Sequence, residues 1–380
     1  MVRFIVTNIF FDIKMRIGKK LLNIYINGRF LTQPITGVQR SALEILKALD
    51  EHLSRHTEIL SEHSFICLVP SKSPTNFYPK WKNIRIQQSG KLHGNLWEQI
   101  ELPFFAGGGL LLCLCNIGPI LHFNQVVVFH DASVFAVSKA YSASFKLKYR
   151  FIMRILARTA HSVITDSQFS RSQLAKYLKI KLEKISVVSL GSEHILESAP
   201  DYSVIHRNGL SENQYLITVG SSSPHKNVAN LVNSFKKLNN EIDFVIVGGK
   251  FSKVFNQVEE LEEEHILRLG YVSDNELRAL YEKAVCLVFP SYYEGFGFPP
   301  LEAMRCGCPV LSSNRASLPE ICGEAVIYFD PFNIEEIYRS ILRIIENPVL
   351  QQELRTKGYD QALKFNWQNA AEHLMDIVIR

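Results

Sequence analysis

Cysteines at metal-binding or disulfide spacing are missing from this chain. Its seven cysteines are an odd number, and the close pairs Cys113/Cys115 and Cys306/Cys308 are separated by a single residue. A zinc site wants wider spacing and a matching second pair. The thiols therefore read as reduced, partly buried groups of a cytosolic protein. Also missing is any run near the roughly 18 consecutive apolar residues that span a bilayer. The apolar start holds Arg3 and is followed by Lys14, Arg16, Lys19 and Lys20, with no small-residue cleavage site. Residues 1–20 read as an N-terminal extension: an arm, a mis-assigned start or a membrane-touching segment. Charge of one sign is scarce too, since 42 Lys+Arg against 37 Asp+Glu leave a formal net charge of +5. That balance argues against a nucleic-acid partner and is compatible with anionic ligands or an anionic membrane surface. No strand is followed by Gly-x-Gly-x-x-Gly, which argues against a nicotinamide dehydrogenase.

What is present is enough apolar material for two cores: 380 residues, 47% of them hydrophobic. Buried strands are predicted at 22–27, 65–69, 110–114, 126–129, 162–165 and 185–190, with helices at 38–49, 141–161 and 170–178. The stretch 192–213 has no clean periodicity, and the pattern restarts after it. Strands at 215–219, 244–247, 285–289 and 309–312 alternate with helices at 227–239, 274–284 and 299–306. Ser273 and Glu276 make a capping box for the second of these helices. Strands alternating with helices on both sides of one linker predict an α/β protein of two Rossmann-like, doubly wound domains facing a central cleft. Their bounds are 21–195, a linker at 196–213, and 214–366; the last helix, 367–380, is expected to complete the first domain.

In such sheets, ligands bind outside the carboxyl ends of the strands. Two loops leave strands there in the second domain. One runs from Gly220 through Ser221, Ser222, Ser223, Pro224 and His225 to Lys226 and Asn227. Its small residues admit a ligand close to the backbone, and Lys226 puts a cation at a helix start. The other holds Glu294, Gly295, Phe296, Gly297, Phe298, Pro299, Pro300 and Glu302. Its glycines allow a tight backbone, and its prolines suit a first helical turn, with Glu302 expected in that turn. Two acids and a cation around a helix start suit a molecule with hydroxyls at both ends and phosphates between. The bland readings are a Gly/Ser turn with a solvated Lys226, and a Glu302 that only complements a helix dipole.

Residues 269–331, with the pair Glu294 and Glu302 in E-x7-E spacing, resemble the donor domain of family 4 glycosyltransferases. Gly220 to Lys226–Asn227 is similar to that family's donor-phosphate loop. Weaker similarity covers Thr36–Arg40, Trp97–Gln99 with Leu102–Pro103, His130–Asp131 and Ser167–Ser170. The resemblance implies the GT-B fold and retaining transfer of a hexose, mannose by preference, from a nucleotide-diphosphate sugar. The expected acceptor is a glycan or lipid-linked glycan in surface polysaccharide or lipopolysaccharide biosynthesis. It further implies that Glu302 holds ribose hydroxyls, that Glu294 lies by the sugar hydroxyls, and that Lys226 neutralises the diphosphate. Gly295, Phe296 and Gly297 would bring amides to sugar and phosphate, His130 would reach the sugar near the reacting carbon, and Thr36–Gly37 would approach the phosphate. Many members carry an arginine before the lysine, where this chain has Ser221, Ser222 and Ser223; His225 or Arg40 is then the expected second cation. No Asp-x-Asp occurs, so neither metal nor cofactor is expected. A non-catalytic sugar-nucleotide-binding subunit and a non-hydrolysing sugar-nucleotide epimerase stand as alternatives. The basic-apolar helix at 141–161 is expected to touch anionic lipid, or else to be an ordinary solvated surface helix. Location is expected to be cytoplasmic, peripheral on the inner membrane face.

Overall fold

The computed structural model describes residues 22–71, 78–221, 223–238, 242–249 and 265–379; the 1–20 extension and Ser222 lie outside them. Among the described residues, thirteen strands form two sheets. The first holds β1 (Leu22–Asn27), β2 (His63–Pro70), β3 (Ile84–Ser89), β4 (Leu110–Cys113), β5 (Gln125–Val128), β6 (Ser162–Thr165) and β7 (Ile185–Val187). Their spatial order is β3-β2-β1-β4-β5-β6-β7, every pair parallel. The second holds β8 (Tyr215–Val219), β9 (Asp243–Val247), β10 (Ile266–Gly270), β11 (Cys286–Phe289), β12 (Val310–Ser313) and β13 (Ile327–Phe329), ordered β10-β9-β8-β11-β12-β13 and again all parallel. Both sheets are doubly wound. Their chain order reverses between β1 and β4 and between β8 and β11, and at those switch points crevices open at the carboxyl ends of strands.

Strands such as β5, buried along its whole length, lie between layers of helices, as parallel strands must. Helices among the described residues include α1 (Gly37–Arg55), α2 (Ala143–Thr159), α3 (Gln168–Leu178), α4 (Val228–Phe235), α5 (Asp274–Lys283) and α6 (Phe298–Arg305). The terminal helix α7 (Trp367–Val378) packs against α1, its Ala370, Ala371, Leu374 and Met375 buried.

Several expectations need correcting. Strand β3 is absent from the predicted set, because IRIQQS offers only Ile84 and Ile86 as apolar residues on an edge strand. The stretch expected to be a linker carries a helix, Ser203–Arg207, with Val204 and Ile205 buried. After β1 the chain forms a 3-10 helix, Gly28–Thr32, begun by the Asn27 side chain accepting from the Arg29 amide. Helix α6 starts one residue earlier than expected, so Glu302 lies in its second turn rather than its first. The capping box of Ser273 and Glu276 is formed.

Candidate functional site

The two switch points face each other across the cleft. From β8 the chain passes Gly220 and half-buried Ser221 into the turn Pro224–Lys226. The Lys226 stem lies over Gly220, where an added Cβ would meet Lys226 Cδ at 3.4 Å. Lys226 Nζ then reaches the loop after β11 and pairs with Glu294 Oε1 at 2.6 Å. The two candidates therefore meet in space, with the ammonium group also 5.5 Å from the centre of the Phe289 ring.

The backbone around Glu294 is fixed from both domains. Ser317 Oγ donates to the Phe296 carbonyl at 2.5 Å and lies 3.1 Å from the Glu294 carbonyl oxygen. Ser167 and Ser170, at the start of α3, both donate to the Gly295 carbonyl, at 2.6 and 2.9 Å. Gly295 backs directly onto the first domain: an added Cβ would stand 2.4 Å from the His130 carbonyl oxygen. Gly297 has φ +139°, a conformation that excludes other residues without strain, and the Phe296 ring is buried against Phe298 and Phe365. The start of α6 has few unpaired donors. Pro299 and Pro300 have no N–H, and the Leu301 amide already donates to the Gly297 carbonyl. Amides before the prolines are what the loop offers an anion.

His130 follows β5 and is buried, with Nδ1 2.7 Å from Asp166 Oδ2 and Nε2 2.9 Å from the Leu114 carbonyl oxygen. Burial works to lower its pKa, but Asp166 and the carbonyl outweigh it, and the pKa is raised. Both ring nitrogens are thus engaged by protein groups, and what the residue presents to Gly295 is its backbone carbonyl. Next to it, Asp131 is raised by burial, and the Glu294 charge pushes the same way. Gly37 opens α1 and faces the second domain, its added Cβ 3.7 Å from Phe298 Cδ2.

Glu302 has different partners from Glu294. His194 Nε2 lies 3.0 Å from its Oε1, and the Tyr281 hydroxyl donates to Oε2 at 3.5 Å. His194, Asp166 and Asn27 are missed by sequence reasoning; Asn27 Nδ2 donates to buried Glu98 Oε1 at 2.7 Å, and Arg29 pairs with the same carboxylate. Asn27 and Asp166, at the carboxyl ends of β1 and β6, carry a positional signal; His194 does not.

Both expected second cations already have partners within the chain. Arg40 is held by Asp274 at 2.5 Å and by Glu44, its charge taken up across the cleft rim. His225 is pushed down to about 4 by burial and then by the Lys226 charge, so it is neutral, hydrogen-bonded to Ser223 Oγ at 2.8 Å. Among the described residues, no group of three or more His, Cys, Asp or Glu side chains could hold a metal ion, and no helix is long and apolar enough to cross a membrane.

Comparison with known proteins places this geometry. The pattern of "glycosyl transferases group 1" matches residues 205–361. The chain is 32% identical over 260 residues to the O-antigen chain mannosyltransferase B of Escherichia coli, covering 65% of this chain and 68% of that protein. It is 26% identical over 294 residues to the serotype-specific mannosyltransferase WbdA of Escherichia coli, spanning 72% of this chain and only 36% of that longer protein. The crystal structure of Anabaena Alr3699/HepE in complex with UDP-glucose superposes with a TM-score of 0.70 at 15% identity, over 94% of this chain and 99% of that one. A pair of facing Rossmann-like domains, a matching group 1 region and a 32% identical mannosyltransferase together decide the matter: this chain belongs to the group 1 glycosyltransferases, with the GT-B fold.

Proposed function

We propose that this chain transfers mannose from a nucleotide-diphosphate sugar to a glycan or lipid-linked glycan in O-antigen-type polysaccharide synthesis, with retention at the anomeric carbon. The observation that carries this is the Lys226–Glu294 ion pair between the carboxyl ends of β8 and β11, directly opposite His130. A diphosphate seated there takes Lys226 as its cation, freeing Glu294 for sugar hydroxyls, while Glu302 accepts from ribose hydroxyls. Breaking the anomeric C–O bond puts negative charge on the departing diphosphate, where Lys226 and the loop amides stabilise it. The acceptor oxygen bonds to the same face of the sugar, and its proton passes to the leaving phosphate oxygen. No protein nucleophile is required, and none is named. The mannose preference rests on the relatives named above.

A donor panel tests this: thermal shift and turnover with GDP-, UDP- and dTDP-sugars, and NMR of the product anomer. A GDP-mannose signal with an α-product, unchanged by EDTA, is expected; an inverted anomer or a metal requirement overturns the mechanism. We place the reaction at the inner face of a membrane, in the cytoplasm. Leu147 and Phe151 of α2 are 75% and 58% exposed beside Lys146, Arg150 and Arg154, an apolar and basic face suited to anionic lipid. Flotation with phosphatidylglycerol vesicles that fails at low salt removes that part of the reading.

A further inference from the structure

The segment between β7 and β8 and the first residue of α7 converge on one carboxylate of the donor site. His194 side-chain atoms are almost wholly buried, at 2% exposure, where its ring lies between Glu302 and Trp367. Trp367 Nε1, which can only donate, points at His194 Nδ1 from 3.3 Å. Nδ1 must therefore be the acceptor, the ring is the neutral tautomer, and Nε2 carries the hydrogen that is donated to Glu302 Oε1 at 3.0 Å. The Trp367 backbone amide is in turn held by Glu193 Oε1 at 2.6 Å, and Phe298 packs edge-on against His194. Glu302 itself is 12% exposed at its side chain; its Oε1 takes the His194 hydrogen at 3.0 Å, while its Oε2 has only the long 3.5 Å contact from the Tyr281 hydroxyl.

We infer that His194, its tautomer fixed by Trp367, is the positioning residue that aims Glu302 at the nucleotide, so that ribose recognition depends on the terminal helix and the inter-sheet segment. This rests on the reading of Glu302 as the ribose ligand. A long carboxylate side chain without its tether samples several rotamers and presents both oxygens to a vicinal diol less often. Phosphate contacts, which run through Lys226 on another loop, are untouched by the loss.

Isothermal titration of the full chain with GDP, UDP, ADP and CDP, each beside its 2′,3′-dideoxy form, separates these contributions. For the base that binds, the native chain favours the ribose form by about tenfold, the size of one charge-assisted hydrogen bond. His194→Ala brings that ratio close to one and leaves affinity for the dideoxy form within about twofold, because the diphosphate grip persists. His194→Gln, whose amide can still donate to Glu302, keeps a several-fold ratio; Trp367→Phe, which frees the tautomer, lowers it by about threefold. A ratio unchanged in His194→Ala but lost in Glu302→Ala overturns the inference, as does equal weakening of both forms in His194→Ala and His194→Gln. A ratio kept in Glu302→Ala, or a native chain indifferent to the ribose hydroxyls, overturns the reading of Glu302 beneath it.

Discussion

Lys226 and Glu294 neutralise each other in the cleft at 2.6 Å, with 18% and 13% of their side chains exposed. In the proposed reading a diphosphate arriving there exchanges one anionic partner of Lys226 for another, the ammonium group being largely buried and aimed beforehand. Its contribution should grow as the C–O bond breaks. Lys226→Ala is therefore expected to lower kcat by roughly 10²–10³-fold, with a smaller loss of nucleotide affinity. Steady-state kinetics beside titration calorimetry check this, and equal losses in the two would refute a role confined to the transition state. His130 makes a second residue-scale case. Its raised pKa means that the stability it contributes is whole below its ordinary value of 6.5 and is lost as pH rises through the folded value. In Asp166→Asn the largest attraction is gone while burial remains, opposed only by the Leu114 carbonyl and Asp131, so the ring should titrate lower than in the native chain and the pH dependence should weaken. NMR titration of the imidazole, with melts between about pH 5 and 8, reads both. An unshifted titration in Asp166→Asn would show that Asp166 is not what raises it.

At the scale of elements, α7 joins the end of the chain to α1 in the first domain. Leu374, fully buried on its inner face, has no water to gain and a cavity to leave. Leu374→Ala should cost about 2–5 kcal/mol, read as a lower urea midpoint; a loss below about 0.5 kcal/mol would mean that the helix is only lightly seated. The same element shows what the sequence can and cannot say. Its apolar stripe is legible from the residues, and so are β5 and β11, continuous buried runs with no alternative reading. Lys226 and the two glutamates are legible because each sits on a segment that leaves a strand's carboxyl end. Their partners are not. His194 is 108 residues before Glu302, and the contact exists only because α6 and the segment after β7 pack side by side. Arg40 looks like a free cation in sequence because Asp274, which neutralises it, is 234 residues away. Pro299 and Pro300 read as helix starters, which they are; their missing amides are the same fact seen from the ligand's side.

At the scale of the whole molecule, the cleft is closed by contacts that use backbone as much as charge. The Gln168 and Phe169 amides opening α3 donate to the Glu320 carboxylate of the other domain at 2.8 and 2.9 Å, an anion set on a helix N-terminus. Arg40 with Asp274 and Lys47 with Glu197 add ion pairs that stay partly exposed and so contribute little each. Gly295 is the tightest point, because the atoms opposite are backbone and cannot swing aside. A methyl group there would lie 2.4 Å from the His130 carbonyl oxygen and 2.8 Å from Asp131 Cβ, far inside van der Waals contact. Gly295→Ala is thus expected to hold the domains apart while each keeps its own core. The radius of gyration from X-ray scattering should rise, the melting temperature should change little, and kcat/KM should fall about a hundredfold, the usual result of moving reacting groups by an ångström. Arg40→Ala removes only a rim ion pair and should leave the scattering curve close to native. If Gly295→Ala scatters like the native chain and turns over normally, the junction at His130 yields more easily than its geometry allows, and closure must be governed by the ion pairs instead.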